Sequence, residues 1–325
     1  MNEVSKKGYQ CKSPILFLTF NRLDTVKQTL PQILKTNPSR IYLASDGARV
    51  GKKDSNNELE SDKVARVREY MLHTINNQCE VKTRFLDSNH GCKMGVSSAI
   101  SWFFDNEEQG IIIEDDCLPN LSFFRFCDEL LETYKEMKNI LLIAGWSGLD
   151  ILPKTKHRMK EDYFFSKYAH IWGWASWANR WARYEREIKD FELYFQKMRF
   201  CNHRERKYWY RIFSKYIANE IDTWDYPLTY TSWKYNMISI QPKNSMIRNI
   251  GFNRDDATHT KDESIFATLP NYELKFPLVA PSQISVDEKI DKAIFEGVFN
   301  GRQQYVLRLI NKIATKFIGK KIFWH

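Results

Sequence analysis

Three carboxylates stand side by side at Glu114-Asp115-Asp116, directly after the apolar run Gly110-Ile111-Ile112-Ile113. Like charges this close resist ionising together, and a divalent cation that prefers oxygen ligands, Mn2+ or Mg2+, removes the conflict. Alternate residues of an extended segment point the same way, so Glu114 and Asp116 share a face. The triplet equally suits an acidic loop or a cap for the helix after Pro119. Phe20-Asn21-Arg22 follows another apolar run, and Arg22 suits either a phosphate or a surface ion pair. Asp46, ahead of Gly47, suits hydrogen bonds from a base or ribose, or an ordinary Asp-Gly turn. Asn89-His90-Gly91 opens a helical stretch containing Lys93 and offers backbone N–H groups to an anion, or simply caps.

Further along, Asp222 and Asp225 flank Trp224 and are candidates for a general base, Asp225 alternatively serving as a helix N-cap. His259, in the polar stretch 253–264, suits closure over a diphosphate or metal, or plain exposure. Trp146, Trp172 and Trp174 offer rings to a sugar or base, with core packing the alternative and the one favoured for Trp172.

Positioning these groups requires strands that end where they lie. Runs 13–19, 40–45, 80–86 and 110–113 predict strands, and 140–144 a further one. Helical spacing predicts helices from Asp24, around Val64–Met71, over 91–104 and over 122–138. Strand alternating with helix implies a mostly parallel sheet covered on both faces, with ligands gathered outside the carboxyl ends of the strands. Arg22, Asp46 and the acidic triplet all fall at such ends. Beyond a polar seam at 150–160, the pattern predicts strand-like 163–167, a tryptophan-rich helix near 173–184, amphipathic segments across 187–221 and a strand over 237–241. Segment 253–264 reads as a candidate mobile loop.

The 325 residues, 43% apolar and 27% charged, suit one large α/β domain or such a domain with a smaller lobe. Aromatics, 14% of the chain, crowd into 163–235. Of the net charge of +9, most sits in the tail 302–325, which holds Arg302, Arg308, Lys312, Lys316, Lys320 and Lys321 and no acid. A basic excess outside the folded body argues against nucleic acid as a partner. In that tail Val306, Leu309, Ile310, Ile313 and Phe317 recur at helical spacing beside a basic face. This suits an amphipathic helix lying on an anionic membrane, or a docking helix. The six cysteines form no CxxC pair and no zinc spacing, and Met1–Ser13 lacks an apolar signal core. No window reaches the length of a spanning helix. The expectation is a cytoplasmic protein, peripheral on the inner face of the cell membrane.

The motifs LTFNRLDT, ASDGA, IIIEDDCLPNLSFFRFC, LLIAGWSG, DYFFSKYAHIWGWASWANRW, TWDYPL and NSMIRNIGF, with ATH soon after, resemble in kind and order those of GT-A glycosyltransferases over roughly 13–260. The nearest resemblance is to N-acetylglucosaminyltransferase I and its bacterial relatives. It implies a GT-A fold, Rossmann-like, with 13–150 as nucleotide-sugar half, 151–265 as acceptor and catalytic half, and 266–325 as an extension ending in the basic tail. It implies a UDP-sugar donor and Mn2+ (or Mg2+) held by Asp116 with Asp115 and His259. Glu114 and Asp115 would touch ribose and sugar, Arg22 the diphosphate and Asp46 the uracil, with Phe20, Asn21, Asn89, Lys93, Trp146 and Trp174 as further donor contacts. The catalytic carboxylate falls at Trp224-Asp225. The family's second acid of that pair is Tyr226 here, which leaves Asp225 and Asp222 both open as base, and the segment around Lys93 departs from the family. Implied is hexosyl or N-acetylhexosaminyl transfer, with inversion, to a glycan or lipid-linked acceptor in bacterial surface-polysaccharide assembly. The alternatives are a non-catalytic nucleotide- or glycan-binding protein and a sugar-nucleotide pyrophosphorylase. The latter carries a glycine-rich loop after strand one where this chain has TFNRLDT.

Overall fold

The computed structural model describes residues 9–252 and 265–299. His259, the whole segment 253–264 and the basic tail therefore lie outside the described residues.

Strand β1 (Ile15–Thr19) is apolar on both faces because both are covered. Ile15 and Phe17 point to one core and Leu16 and Leu18 to another, all of them buried. The chain runs from β1 through helix α1 (Leu23–Leu34) to β2 (Arg40–Ser45), then through α2 (Glu60–Ile75) to β3 (Glu80–Phe85). It returns through α3 (Ser97–Phe104) to β4 (Gln109–Glu114) on the opposite side of β1. These four strands are parallel, with Phe17 level with Leu43 and Ile113. Helices α1, α2 and α4 (Leu121–Thr133) cover one face through Val26, Leu30, Val67, Met71 and Phe124. Helix α3 covers the other through Ile100 and Phe103. Helix α4 starts where the Asn120 side chain accepts the Phe123 amide at 3.2 Å, the N-cap role that suits Asn.

The remaining strands complete the same eight-stranded sheet, ordered β3-β2-β1-β4-β8-β6-β9-β7. Here β6 is Ile140–Ala144, β7 Tyr163–Ser166, β8 Trp174–Trp177 and β9 Ile238–Pro242. Strand β8 runs antiparallel between β4 and β6, and β7 antiparallel at the edge beyond β9. The fold is thus α/β with a mixed sheet whose first half is wholly parallel, flanked by helices on both faces.

Two elements differ from the sequence-based expectation. The tryptophan-rich stretch is a strand, β8, followed by the single turn α6 (Ala178–Trp181), not one helix. An apolar run buried on all sides has no periodicity that separates helix from strand, and pairing with β4 and β6 decided it. Directly after the acidic triplet, β5 (Cys117–Pro119) pairs with β10 (Ile247–Asn249) in a separate antiparallel ribbon. A third core, built from α7 (Phe191–Phe195), α8 (His203–Ile217), α9 (Asp225–Lys234) and α10 (Glu288–Gly297), gathers Trp209, Phe213, Tyr230, Trp233 and Phe295. That core absorbs much of the aromatic excess of 163–235.

Candidate active site

The winding of the sheet reverses at β1: β2 and β3 lie on one side, β4 on the other. Strands that diverge in this way leave a crevice at their carboxyl ends, the usual ligand position in open α/β sheets. Arg22 follows β1 on one lip and Glu114-Asp115-Asp116 ends β4 on the other. The Arg22 guanidinium forks across the gap, with Nη2 2.9 Å from Asp115 Oδ1 and Nη1 3.0 Å from Asp116 Oδ2. Asp115 is buried and its carbonyl accepts the Thr29 hydroxyl at 2.9 Å, which ties the triplet to α1. The Asp116 carbonyl accepts the Ile250 amide at 2.8 Å, and Gly251 lies so close to the Asp116 carboxylate that a β-carbon would collide with it. The β5–β10 ribbon therefore aims Asp116 into the crevice.

Glu114 is partly open to solvent, yet no described residue donates a hydrogen bond to its side chain. Burial among protein atoms, then the charges of Asp116 and Asp115, push its carboxyl up to about 8, against a smaller opposing pull from Arg22. Asp225 adds to that push, so the carboxylate at the start of α9 lies within electrostatic reach of the triplet. Two acids of the triplet thus share the Arg22 guanidinium, with Glu114 and Asp225 within electrostatic reach. Asp225 accepts from the Thr223 hydroxyl, and Trp224 between them is buried. The Trp224 indole stacks on Trp174 at 5.8 Å, and its carbonyl accepts the Tyr184 hydroxyl at 3.0 Å.

Several residues expected at the donor have partners within the chain itself. Asp46 accepts the Gly47 amide at 2.9 Å, the His90 amide at 2.9 Å, the Gly91 amide at 3.0 Å and Asn89 Nδ2 at 3.1 Å. Asn89 also donates to the Gly47 carbonyl at 2.8 Å. The turn that looked like an anion site in sequence is therefore directed at the chain's own carboxylates. Asn21 donates to Glu60 at 3.1 Å, and the Phe20 ring lies 6.0 Å from the Arg49 guanidinium carbon. Lys93 pairs with Glu187 at 3.0 Å and lies over the Tyr216 ring. Trp146 and Trp174, at 4% and 1% exposure, pack in the two cores. Trp146 is enclosed edge-on by His170 and Trp172 because the aromatic cluster closes around it. Trp172, assigned to the core from sequence, is the partly exposed ring and touches Phe252, one residue from Gly251. Sequence reasoning missed Gly251 and Thr223. A glycine closing NSMIRNIGF and a Thr-x-Asp spacing were the available signals.

Among the described residues no three His, Cys, Asp or Glu side chains form a preassembled metal site. The donor set nonetheless fits Mg2+ or Mn2+, because a hard cation can be held by one or two carboxylates with phosphate oxygens and water completing the shell. Asp115 and Asp116 supply such oxygens. Among the described residues no helix is long and apolar enough to cross a membrane.

No protein-family model matches this chain, and no curated protein matches it. Solved structures show distant likenesses. A crystal structure of GalNAc-T7 with UDP, GalNAc and Mn2+ is 12% identical with TM-score 0.41, over 71% of this chain and 42% of that one. The mannosyltransferase PcManGT from Pyrobaculum calidifontis, in complex with GDP-Man and Mn2+, is 12% identical with TM-score 0.34, over 52% and 45%. TarS residues 1–349 from S. aureus is 10% identical with TM-score 0.37, over 73% and 59%. The chain thus spans between two fifths and three fifths of each of these proteins. Scores this low leave the function to be argued from this chain's own residues.

Proposed function

We propose that this chain is a divalent-metal-dependent glycosyltransferase that moves a hexosyl or N-acetylhexosaminyl group from a UDP-sugar to a glycan or lipid-linked acceptor, with inversion. The observation that carries the reading is the crevice between β1 and β4, where Arg22 bridges Asp115 and Asp116 with Glu114 and Asp225 beside them. That crowding of carboxylates supports a cation at this site. Asp116 and Asp115 would hold it, with His259 a further candidate ligand. When bound, the metal supplies charge neutralisation for the departing diphosphate.

The chain's own groups do the rest. Arg22, placed by the start of α1, has the planar fork that suits phosphate oxygens as well as carboxylates. Glu114, at the end of β4, would meet sugar or ribose hydroxyls. Asp225 takes the proton of the acceptor hydroxyl as that oxygen attacks the anomeric carbon from the face opposite the diphosphate. The basic amphipathic tail suits attachment to an anionic membrane, where a lipid-linked acceptor in surface-polysaccharide assembly would reside.

Thermal denaturation against a panel of nucleotide sugars, with and without Mn2+, tests this reading. UDP-sugars with Mn2+ should raise the melting temperature selectively, the stabilisation reaching about 2.7 kcal/mol at a hundredfold excess over Kd. Indifference to every nucleotide sugar in the presence of metal would overturn it.

A further inference from the structure

Two carboxylates compete for the role of base in segment 222–225, and the structure treats them differently. Four successive backbone N–H groups, those of His90, Gly91, Cys92 and Lys93, all point at carboxylates. The first two donate to Asp46, at 2.9 and 3.0 Å. The next two donate to Asp222, Cys92 to Oδ2 and Lys93 to Oδ1, both at 3.2 Å. Two glycines make this possible. Gly91 has φ of +75° and would bring a β-carbon to 3.0 Å from Asp222 Oδ2. A β-carbon at Gly95 would stand 3.0 Å from Asp46 Oδ2. The turn is therefore clasped from both sides, by the end of β2 and by the residue three before α9 begins in earnest.

We propose that Asp222 is a positioning residue, not the base: with Asp46 it clasps the 89–93 turn and thereby fixes the segment 222–225 that carries Asp225. The inference rests on the reading of the site as a glycosyltransferase centre. Both Asp222 oxygens are directed at amides, so turning one toward an acceptor hydroxyl would release the turn. Each following residue is also held. The Thr223 hydroxyl donates to Asp225, and Trp224 is pinned by Trp174 and Tyr184. Four consecutive amides thus link Asp46 to Asp222.

The test compares Asp222→Ala, Asp222→Asn and Asp225→Asn in the full chain. Asp225→Asn should lose about 10²–10⁴-fold in kcat, the range for a removed general base. Asp222→Ala should lose on the order of 10²-fold in kcat through misplacement. Its donor KM should change little, because Arg22 and the β4 acids proposed to meet the donor lie outside the clasp. Asp222→Asn keeps an acceptor for one amide and should recover most of the turnover. Amide hydrogen exchange at Cys92 and Lys93 should quicken in Asp222→Ala and not in Asp225→Asn. An Asp222→Asn variant as inactive as Asp225→Asn, or unchanged exchange at residues 92 and 93 in Asp222→Ala, overturns the proposal. Should the wild-type chain transfer no sugar, the transferase reading falls, and the exchange rates still decide whether Asp222 holds the turn.

Discussion

Two groups of acidic side chains among the described residues, at the end of β4 and on α8 and α10, have surroundings that are opposite in kind. Beneath α8, Glu205 is fully buried and accepts from the Tyr168 hydroxyl, from Lys167 Nζ at 2.6 Å and from the Cys201 amide at 2.6 Å. Asp291 on α10 accepts from Ser166 Oγ at 2.6 Å and the Lys167 amide at 3.0 Å. Burial pushes its carboxyl up to about 6, and the Ser166 and Lys167 hydrogen bonds hold it from rising further. At β4, Glu114 is pushed up to about 8 with no such donors, and Asp115 and Asp116 share one arginine. Acids that serve the fold are satisfied by the fold. At the crevice Glu114 is crowded by the charges of Asp116 and Asp115, a conflict that a bound cation would relieve.

Removing Asp116 should have the largest effect, and it should be on chemistry. Asp116→Ala is expected to lower metal-dependent UDP-sugar turnover by ~10³-fold, the several kcal/mol a metal contributes at a leaving group, while the melting temperature moves little. Turnover measured with and without Mn2+ beside a thermal melt checks both halves. A large stability loss with turnover retained would make the triplet structural and erase the contrast.

Glu205→Ala should do the reverse. Leaving Lys167 and Tyr168 without their buried partner is expected to cost about 3 kcal/mol of stability, read by urea denaturation. UDP binding with Mn2+, measured by calorimetry on the folded fraction, should be preserved. Loss of binding at full stability would place Glu205 in the site instead.

The smallest effect sharpens the comparison through pH. The folded chain holds a proton on Asp291 up to about 6, whereas an exposed Asp releases it near 3.8. Folded protein thus binds more protons than unfolded across that window. The contribution of Asp291 to stability is complete below 3.8 and is lost as pH rises through about 6. Asp291→Asn should flatten that descent in a series of urea titrations between those values. An unchanged slope would assign the descent to other groups.

Much of the first half was legible in the sequence. Apolar runs ending in Phe20-Asn21-Arg22, Asp46 and Glu114-Asp115-Asp116 mark strands whose last residues turn polar, and β1, β2 and β4 end at those places. Less was legible where an aromatic run lacked periodicity. Trp146 and Trp174 look like ligand contacts because tryptophan is rare and clustered, yet both serve the core, while Trp172 keeps an exposed edge. The ribbon of β5 with β10 joins residues more than a hundred positions apart, and nothing local to either three-residue strand announces the pairing.

By itself the sequence determined which strands are buried on both faces and which carboxylates stand at their ends. Hydrophobic spacing and strand-end polarity are properties of neighbouring residues. Tertiary structure alone decided that β4 lies beside β1 and that Arg22 reaches across to Asp115 and Asp116. It also decided that Asp46 and Asp222 spend their oxygens on the 89–93 turn while Asp225 remains at the crevice. The physical reason is that a carboxylate's role depends on the donors around it, and here those donors come from segments distant in the chain.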